Sequence, residues 1–386
     1  MTTQESVDEI ERPEEHDDDE IFPSIAYEAA PPPRRDFMPW HRPRKQYVRR
    51  KQWLHQARKL IKSLPHEGPI RYLGLPGDDL LDLRALHEIA DSSRELLFLG
   101  FMDGGGQDAR VNLNISMQEV LDLKHVSERS HVVPDNINSL ARSTSMGTDY
   151  LRKFGPFDVV NLDFCNNVMT GAIGERSIYD AINNLFGLQA RRLDPWLLFL
   201  TTRAVQETVH PDVSEKLDLL LAENLEQCKG FSEGLGALLG EVADIPTTLS
   251  DCDAVQWFDM FCVCMAKVIL NAAVSGRMKV ELKSTMSYRV GRLDDAEPDD
   301  LVSFAFLITP SIAPAGDAGG LSAAQPGPDE CELAVKLAPR IAKRVQVDKL
   351  LDEDKELLAS MIDESAALLK QARYPEAEYR AWVVQT

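Results

Sequence analysis

Short apolar runs alternate with runs of helical spacing through the centre of the chain. The strand-like runs cover residues 70–75, 95–101, 131–133, 157–162 and 196–201. Between them, residues 79–90, 116–123 and 178–191 place apolar side chains at the three- and four-residue intervals of a helix face. Strands that alternate with helices predict a parallel sheet with crossover connections.

The pattern changes after residue 202. Residues 214–239 and 254–273 have helical spacing, and residues 278–290 and 301–309 are two β-type runs separated by an acidic loop. Consecutive strands joined by a loop predict an antiparallel hairpin. The fold class predicted is therefore α/β: a mainly parallel, Rossmann-like sheet with crossover helices, a closing antiparallel hairpin, and helical extensions at both ends.

Composition divides the chain into five predicted segments. They are an acidic, flexible tail with a proline linker (residues 1–33), a basic, aromatic helical segment (34–66), the sheet domain (67–312), an Ala/Gly/Pro-rich linker or loop (313–328) and a helical extension (329–386). The C-terminal helical extension, or the apolar helix within 254–274, offers a surface for a protein partner.

The net charge of −20 argues against a protein whose whole surface binds nucleic acid. The basic segment is the exception, because aromatic residues and cations together suit a nucleic-acid strand. The apolar stripe within 44–64 predicts a helix that packs on one side. The alternative is that these cations pair with acidic patches of the same protein. The candidate nucleic-acid-binding residues are Arg42, Arg44, Lys45, Arg49, Arg50 and Lys51.

The six cysteines are scattered among apolar neighbours without a CxxC pair, which predicts reduced thiols, no metal site and a cytoplasmic protein. The most apolar long segment, residues 254–274, contains Gln256, Asp259 and Lys267, so no membrane-spanning helix is predicted.

Small and polar residues follow each of the first four predicted strands. The first strand leads into a turn with Gly74, Pro76 and Gly77, and the second into "GFMDGGG" with Asp103. The third leads into "VVPDNI" with Asp135, and the fourth into "NLDFCNN". This order, closed by a hairpin, resembles the class I S-adenosylmethionine-dependent methyltransferase fold over residues 68–310.

The resemblance implies a binding site for S-adenosylmethionine. It assigns Gly74, Pro76 and Gly77 to the aminoacid part of the cofactor, Asp103 to the ribose hydroxyls, and Asp135 to the adenine. Two aspartates, Asp78 and Asp79, would repel a phosphate at the start of the next helix but can attract a cationic ligand. The alternative is a tight turn in which one of them caps that helix.

The fourth segment carries the candidate catalytic residues Asp163, Phe164 and Asn166. Asp163 and Phe164 resemble the acidic-then-aromatic pattern by which amino-group methyltransferases bind and stack their substrate, although the two usual prolines are missing. Cys165 suggests a nucleophilic thiolate as one alternative and an unreactive, buried cysteine as the other.

The leading functional hypothesis is a divergent methyltransferase-like protein that binds S-adenosylmethionine or a related nucleoside and acts on nucleic acid. The alternative is a catalytically inactive scaffold in a multi-protein assembly. An NAD-dependent enzyme is disfavoured because Asp78 and Asp79 oppose a pyrophosphate, and no P-loop or serine-hydrolase motif is present.

Overall fold

The computed structural model describes residues 35–65, 68–103, 106–174, 177–240, 244–291, 299–311 and 327–385. All of its helices and strands lie in one compact unit, Phe37–Thr386. The predicted acidic tail and most of the predicted loop 313–328 lie outside the described residues.

An eight-stranded sheet forms the centre of this unit, in the order β3-β2-β1-β4-β5-β7-β6-β8. The first five strands are parallel to one another, and β7 runs antiparallel to both of its neighbours, β5 and β6. The predicted fold class is confirmed, including the closing hairpin. The strands are β1 Ile70–Gly74, β2 Leu96–Phe101, β3 His131–Val133, β4 Val159–Asp163, β5 Trp196–Arg203, β6 Met278–Tyr288, β7 Leu301–Pro310 and β8 Val345–Gln346.

Helices cover both faces of the sheet. Helix α1 is continuous through Pro43–Tyr47, the π-type turns Val48–Leu54, and His55–Ser63. The others are α2 Leu81–Leu86, α3 Gln107–Leu121, α4 Met146–Phe154, α5 Ile178–Gln189, α6 Pro211–Gln227, α7 Phe231–Leu238, α8 Ala254–Ser275, α9 Glu330–Ala334, α10 Leu337–Ile341, α11 Val347–Glu353, α12 Lys355–Gln371 and α13 Glu376–Gln385.

The sheet separates two large apolar cores, one on each of its faces. Helices α4, α5, α6 and α8 pack on one face around side chains such as Phe186, Trp196 and Phe261. Helices α1, α2, α11 and α12 pack on the other face around Trp53 and Phe199. The parallel strands β1, β2, β4 and β5 are thus buried on both sides, as their nearly continuous apolar runs require.

The register of the strands aligns their carboxyl ends. Gly74 of β1 pairs with Gly100 of β2 on one side and with Asn161 of β4 on the other. Asp163, the last residue of β4, pairs with Thr201 of β5. The polar residues that follow these strands therefore meet along one edge, where open α/β sheets place their ligands.

Among the described residues, helix α8 has the length and the apolar composition that a membrane-spanning helix needs. Most of its apolar stretch, 72%, is buried inside the protein. This is the environment of a core helix, since α8 packs against α6 and β6.

Candidate functional site

An open cleft with a volume of about 540 Å³ lies at the carboxyl ends of β1, β2 and β4. Residues from all of the predicted strand-end segments contribute to it. The lining comprises Leu75, Gly77, Asp78, Phe101, Met102, Asp103, Ala109, Asn136, Ile137, Asn138, Asp163, Phe164, Cys165, Asn166, Asn167, Val168, Thr170 and Ile178.

The polar part of this lining is anionic. It holds three aspartates and four asparagines, and its described residues include no lysine, arginine or histidine. Carboxylates in a concave, partly desolvated surface attract a cation and repel a phosphate. The cleft therefore suits a neutral or cationic ligand.

The turn after β1 has separate reasons for its two glycines. A Cβ atom on Gly74 would lie 2.6 Å from the ring of Tyr72, so the contact that requires this glycine comes from the protein itself. Gly77 has a φ of +63° and open space around its Cα, and it lines the cleft. Pro76 is buried against Gly100 rather than lining the cleft.

Substituting these glycines should separate the two causes. We expect Gly74→Ala to lower the free energy of unfolding by about 1 to 3 kcal/mol through overpacking against Tyr72, and Gly77→Ala by about 1 to 2 kcal/mol through its left-handed backbone. In a Tyr72→Leu background the Gly74 effect should vanish while the Gly77 effect persists. Urea unfolding measures both, and equal penalties in the two backgrounds would contradict the steric explanation.

The two aspartates after this turn bind other parts of the protein. Asn112 of α3 donates from Nδ2 to Asp78 Oδ2 at 2.8 Å and to Asp79 Oδ1 at 3.1 Å, and Tyr374 donates its hydroxyl to Asp79 Oδ2 at 2.8 Å. The residue that precedes α2 is Leu80, and no side-chain hydrogen bond caps this helix. The capping alternative is therefore wrong; Asp79 is a buried anchor, and Asp78 borders the cleft.

Of the residues predicted to bind the ribose and the adenine, Asp103 lines the cleft and Asp135 does not. Asp103 is exposed, lines the cleft and accepts a hydrogen bond from Asn136 Nδ2 at 2.8 Å. Asp135 is absent from the lining, and its carboxylate accepts a hydrogen bond from the backbone of Asn136. The cleft is instead lined by Asn136 and Asn138, which were not among the predicted site residues.

Asp163 is held by a lysine that precedes the sheet domain. Lys45 Nζ contacts Asp163 Oδ1 and donates to the hydroxyl of Tyr288 at 3.1 Å, and it lies 4.6 Å from the centre of the Trp53 ring. Burial alone lowers the pKa of Lys45, but Asp163 and Tyr288 raise it, and the net result is a pKa above the ordinary value of 10.5. Lys45 is thus a buried cation paired with Asp163.

The rest of the fourth segment borders the cleft. Phe164, Cys165 and Asn166 line it beside Asp163, and Asn167 is buried and anchored by a 2.9 Å hydrogen bond to Thr208. Cys165 is exposed, so the expectation of a buried cysteine is wrong. Nevertheless, partial desolvation of the sulfur and the neighbouring Asp163 raise the pKa of Cys165, which disfavours a thiolate nucleophile.

The basic segment mostly faces the protein interior. Four of its cations are buried: Arg42, Arg44, Lys45 and Arg49. The prediction was that only the apolar stripe of this helix would pack against the protein. Arg44 pairs with Asp348 at 3.2 Å and Arg49 with Asp82 at 2.8 Å. These four cations are therefore inaccessible to a nucleic acid, as the alternative of internal pairing implied.

The remaining two candidate nucleic-acid contacts lie at the surface. Arg50 is half-buried and pairs with Glu88 at 2.7 Å and Glu364 at 2.9 Å, and Lys51 is exposed. A nucleic-acid contact through these two residues stays a prediction.

A second open cleft, of about 570 Å³, lies at the other edge of the sheet between α8 and α11. Several of its charged residues form ion pairs: Arg344 with Asp259, and Asp348 with Arg44 and with Arg289. The carboxyl-edge cleft is the stronger candidate because the ends of β1, β2 and β4 converge there, where open α/β sheets place their ligands.

Comparison with known proteins identifies a family. The model of the PP_RS20740-like family matches residues 34–384, which includes every helix and strand described above except the last residue of α13. The chain belongs to the PP_RS20740-like family. Membership of this family covers the basic segment and the C-terminal helices as well as the sheet domain. No curated protein matches the chain.

Among solved structures, the chain is similar to the SAM Dependent Methyltransferase from Agrobacterium tumefaciens. The two are 10% identical, the alignment covers 41% of this chain and 46% of that one, and the TM-score is 0.27. The chain thus matches about half the length of that methyltransferase. The fold assignment rests on strand order and direction, not on this likeness.

Proposed function

We propose that this protein binds S-adenosylmethionine or a related cationic nucleoside in the cleft at the carboxyl edge of the sheet. The observation that carries the proposal is the polar lining: three aspartates, of which Asp163 is paired with Lys45, and four asparagines surround the cleft, and its described lining residues include no lysine, arginine or histidine. A sulfonium gains from such a surface, whereas a pyrophosphate loses. The order of the strands, with an antiparallel β7 closing a parallel sheet, supports a methyltransferase-like fold.

The residues fit such a ligand in their chemistry. Asp103 offers carboxylate oxygens to a pair of ribose hydroxyls, Asn136 and Asn138 offer amides near it, and the exposed turn at Gly77 leaves space for a close approach. S-Adenosylmethionine, when bound, supplies a methyl group on a positively charged sulfur.

For a methyl acceptor, we infer that Asp163 serves as a fixed hydrogen-bond acceptor. Its Oδ1 is held by Lys45, and the side chain borders the cleft beside Phe164 and Asn166. A carboxylate held in this way orients an N–H or O–H donor, and Phe164 provides an aromatic surface for a planar group.

Direct titration tests the proposal. We expect calorimetry to show binding of S-adenosylmethionine and S-adenosylhomocysteine, with the cationic form bound more tightly and its advantage reduced by salt. NAD serves as the control, because its pyrophosphate should exclude it. Binding of NAD but of neither nucleoside would overturn the proposal.

Two aspartates provide a matched pair of variants. Asp103→Ala removes a charged acceptor from the cleft, so we expect nucleoside affinity to fall by about 10- to 100-fold. Asp135→Ala alters a carboxylate of the same neighbourhood that does not line the cleft, and should change affinity less than about 2-fold. The dissociation constants come from the same calorimetric titrations. Equal effects of the two substitutions would contradict the assigned ribose position.

The second candidate function is a catalytically inactive scaffold. It is favoured by the internal contacts at Gly74 and Asp163, since Tyr72 and Lys45 occupy positions where a ligand or acceptor would otherwise approach. A scaffold predicts that neither nucleoside binds while α12 or α13 retains a protein partner. The absence of nucleoside heat in the titration, with the chain folded by circular dichroism, would select this alternative.

A further inference from the structure

A cluster of sulfur and carboxylate groups lies where α6, α8 and α9 meet, on different elements from those that build the cleft. Cys228 follows the last residue of α6, and Glu330 and Cys331 begin α9. Ligand atoms of these three residues lie within 4.8 Å of one another. The two sulfurs form a disulfide bond across 103 residues, so the expectation of six reduced cysteines is wrong for this pair. Only tertiary packing brings the two together.

A fourth polar side chain is directed at the same point. Asn224, one helical turn before Cys228, is fully buried, and its Nδ2 lies 3.0 Å from Cys228 Sγ and 2.9 Å from Glu330 Oε2. Its Oδ1 is also buried and has no hydrogen-bond partner among the described residues. Rotation of the amide by 180° exchanges the positions of Nδ2 and Oδ1. It places an oxygen atom that can bind a metal beside the sulfur and the carboxylate.

The charge of the cluster is balanced by a buried lysine. Lys267 lies in the apolar core helix α8, is 2% exposed, and contacts Glu330 Oε1. Two thiolates, one carboxylate and a divalent cation together carry one negative charge, which the Lys267 ammonium neutralises. Without such balance a buried charged site is costly.

We propose that the reduced chain binds one divalent cation of the zinc class through Cys228, Cys331, Glu330 and Asn224. Two sulfurs select zinc over magnesium or calcium, and four ligands match its tetrahedral preference. Lys267 then acts on the carboxylate oxygen that does not bind the metal, as an outer-shell partner that fixes Glu330.

The disulfide and the metal exclude each other. A dithiol reductant transfers two electrons and two protons to the Cys228–Cys331 bond, which gives two thiols and the oxidised reductant. The thiols release two protons when they bind the cation. The reduced chain is thus the form that takes up metal.

Cobalt and zinc binding to the full chain tests the proposal. After reduction with a phosphine, we expect one Zn²⁺ per chain, and Co²⁺ should give sulfur-to-metal charge-transfer absorption. Cys331→Ser should abolish this absorption, Glu330→Gln should weaken metal affinity by about 10-fold or more, and the control Cys252→Ser, whose thiol lies outside the cluster, should retain it.

If Cys331→Ser fails to fold, the unmodified chain still allows a test of metal binding. A chromophoric chelator should detect Zn²⁺ release when the loaded chain is oxidised to the disulfide and uptake when it is reduced again. The proposal is overturned if the reduced, folded chain takes up no metal, if the disulfide form binds metal equally well, or if a folded Cys331→Ser variant keeps the cobalt spectrum.

Discussion

Replacing Lys45 with methionine should lower the free energy of unfolding by about 3 kcal/mol, because it leaves the Asp163 carboxylate without its counter-ion. The Lys45 side chain is 5% exposed and that of Asp163 is 13% exposed, so water replaces little of the lost contact. The raised pKa of Lys45 means that its contribution is fully present below pH 10.5 and is lost only as the pH rises through the folded-state value. Urea unfolding at neutral pH measures the change.

Two further variants isolate the pair. Lys51→Met changes an exposed lysine of the same helix and should shift the unfolding free energy by less than about 0.5 kcal/mol. In the double variant Lys45→Met/Asp163→Asn neither charge remains, so its penalty should be smaller than the sum of the two single penalties. Strict additivity would show that Lys45 stabilises the fold through packing on Trp53 alone.

A second large effect is expected at the opposite end of β4. Asp158 is 1% exposed, accepts a hydrogen bond from the backbone of Arg71 at 2.7 Å, and pairs with the buried Arg192 at 3.1 Å. Asp158→Ala should cost about 3 to 5 kcal/mol of unfolding free energy because it leaves Arg192 buried without its counter-ion. Thermal and urea unfolding both report the loss.

The position of Asp158 also separates stability from binding. It lies at the amino end of the strand, so under conditions where the variant is folded, nucleoside affinity should match that of the unmodified chain. Asp149→Ala is the matched control, since its ion pair with Arg152 is exposed and contributes little. A folded Asp158→Ala variant with greatly weakened nucleoside binding would place the ligand elsewhere than at the carboxyl edge.

The sheet could be predicted from the sequence because its strands are strongly apolar and separated by turn residues. Residues 131–133 were predicted as observed, and the hairpin formed by β6 and β7 was predicted within a few residues. Helix α3 begins at Gln107, whereas the prediction began at residue 116. The first turns were missed because they are largely exposed and lack an apolar face: Val111 is 52% and Ile115 45% exposed. Helix α4 was not predicted, although its sequence is amphipathic. Strand β8 is too short to leave a periodic signal.

The site was predictable only as far as it depends on strand ends. Asp103 and Asp163 line the cleft as a parallel sheet requires, but whether Asp135 or Asn136 does so depends on the local turn. The partners of the basic helix could not be predicted, since Lys45 and Asp163 are 118 residues apart and charge composition does not specify pairing. One signal was present: the segment's cations matched an excess of acids elsewhere in the chain.

Asn112 connects the cleft to the C-terminal helices, because its amide donates to Asp78 and Asp79 while its oxygen accepts from Arg373, next to the Tyr374 that also binds Asp79. The turn that borders the cleft and the link between α12 and α13 therefore share hydrogen bonds. Thermodynamic linkage then requires reciprocity: a molecule that displaces Arg373 or Tyr374 and changes ligand affinity in the cleft by some factor must have its own affinity changed by the same factor when that ligand is bound. Measuring either affinity in the presence of the other molecule would give the coupling free energy between the cleft and the C-terminal helices.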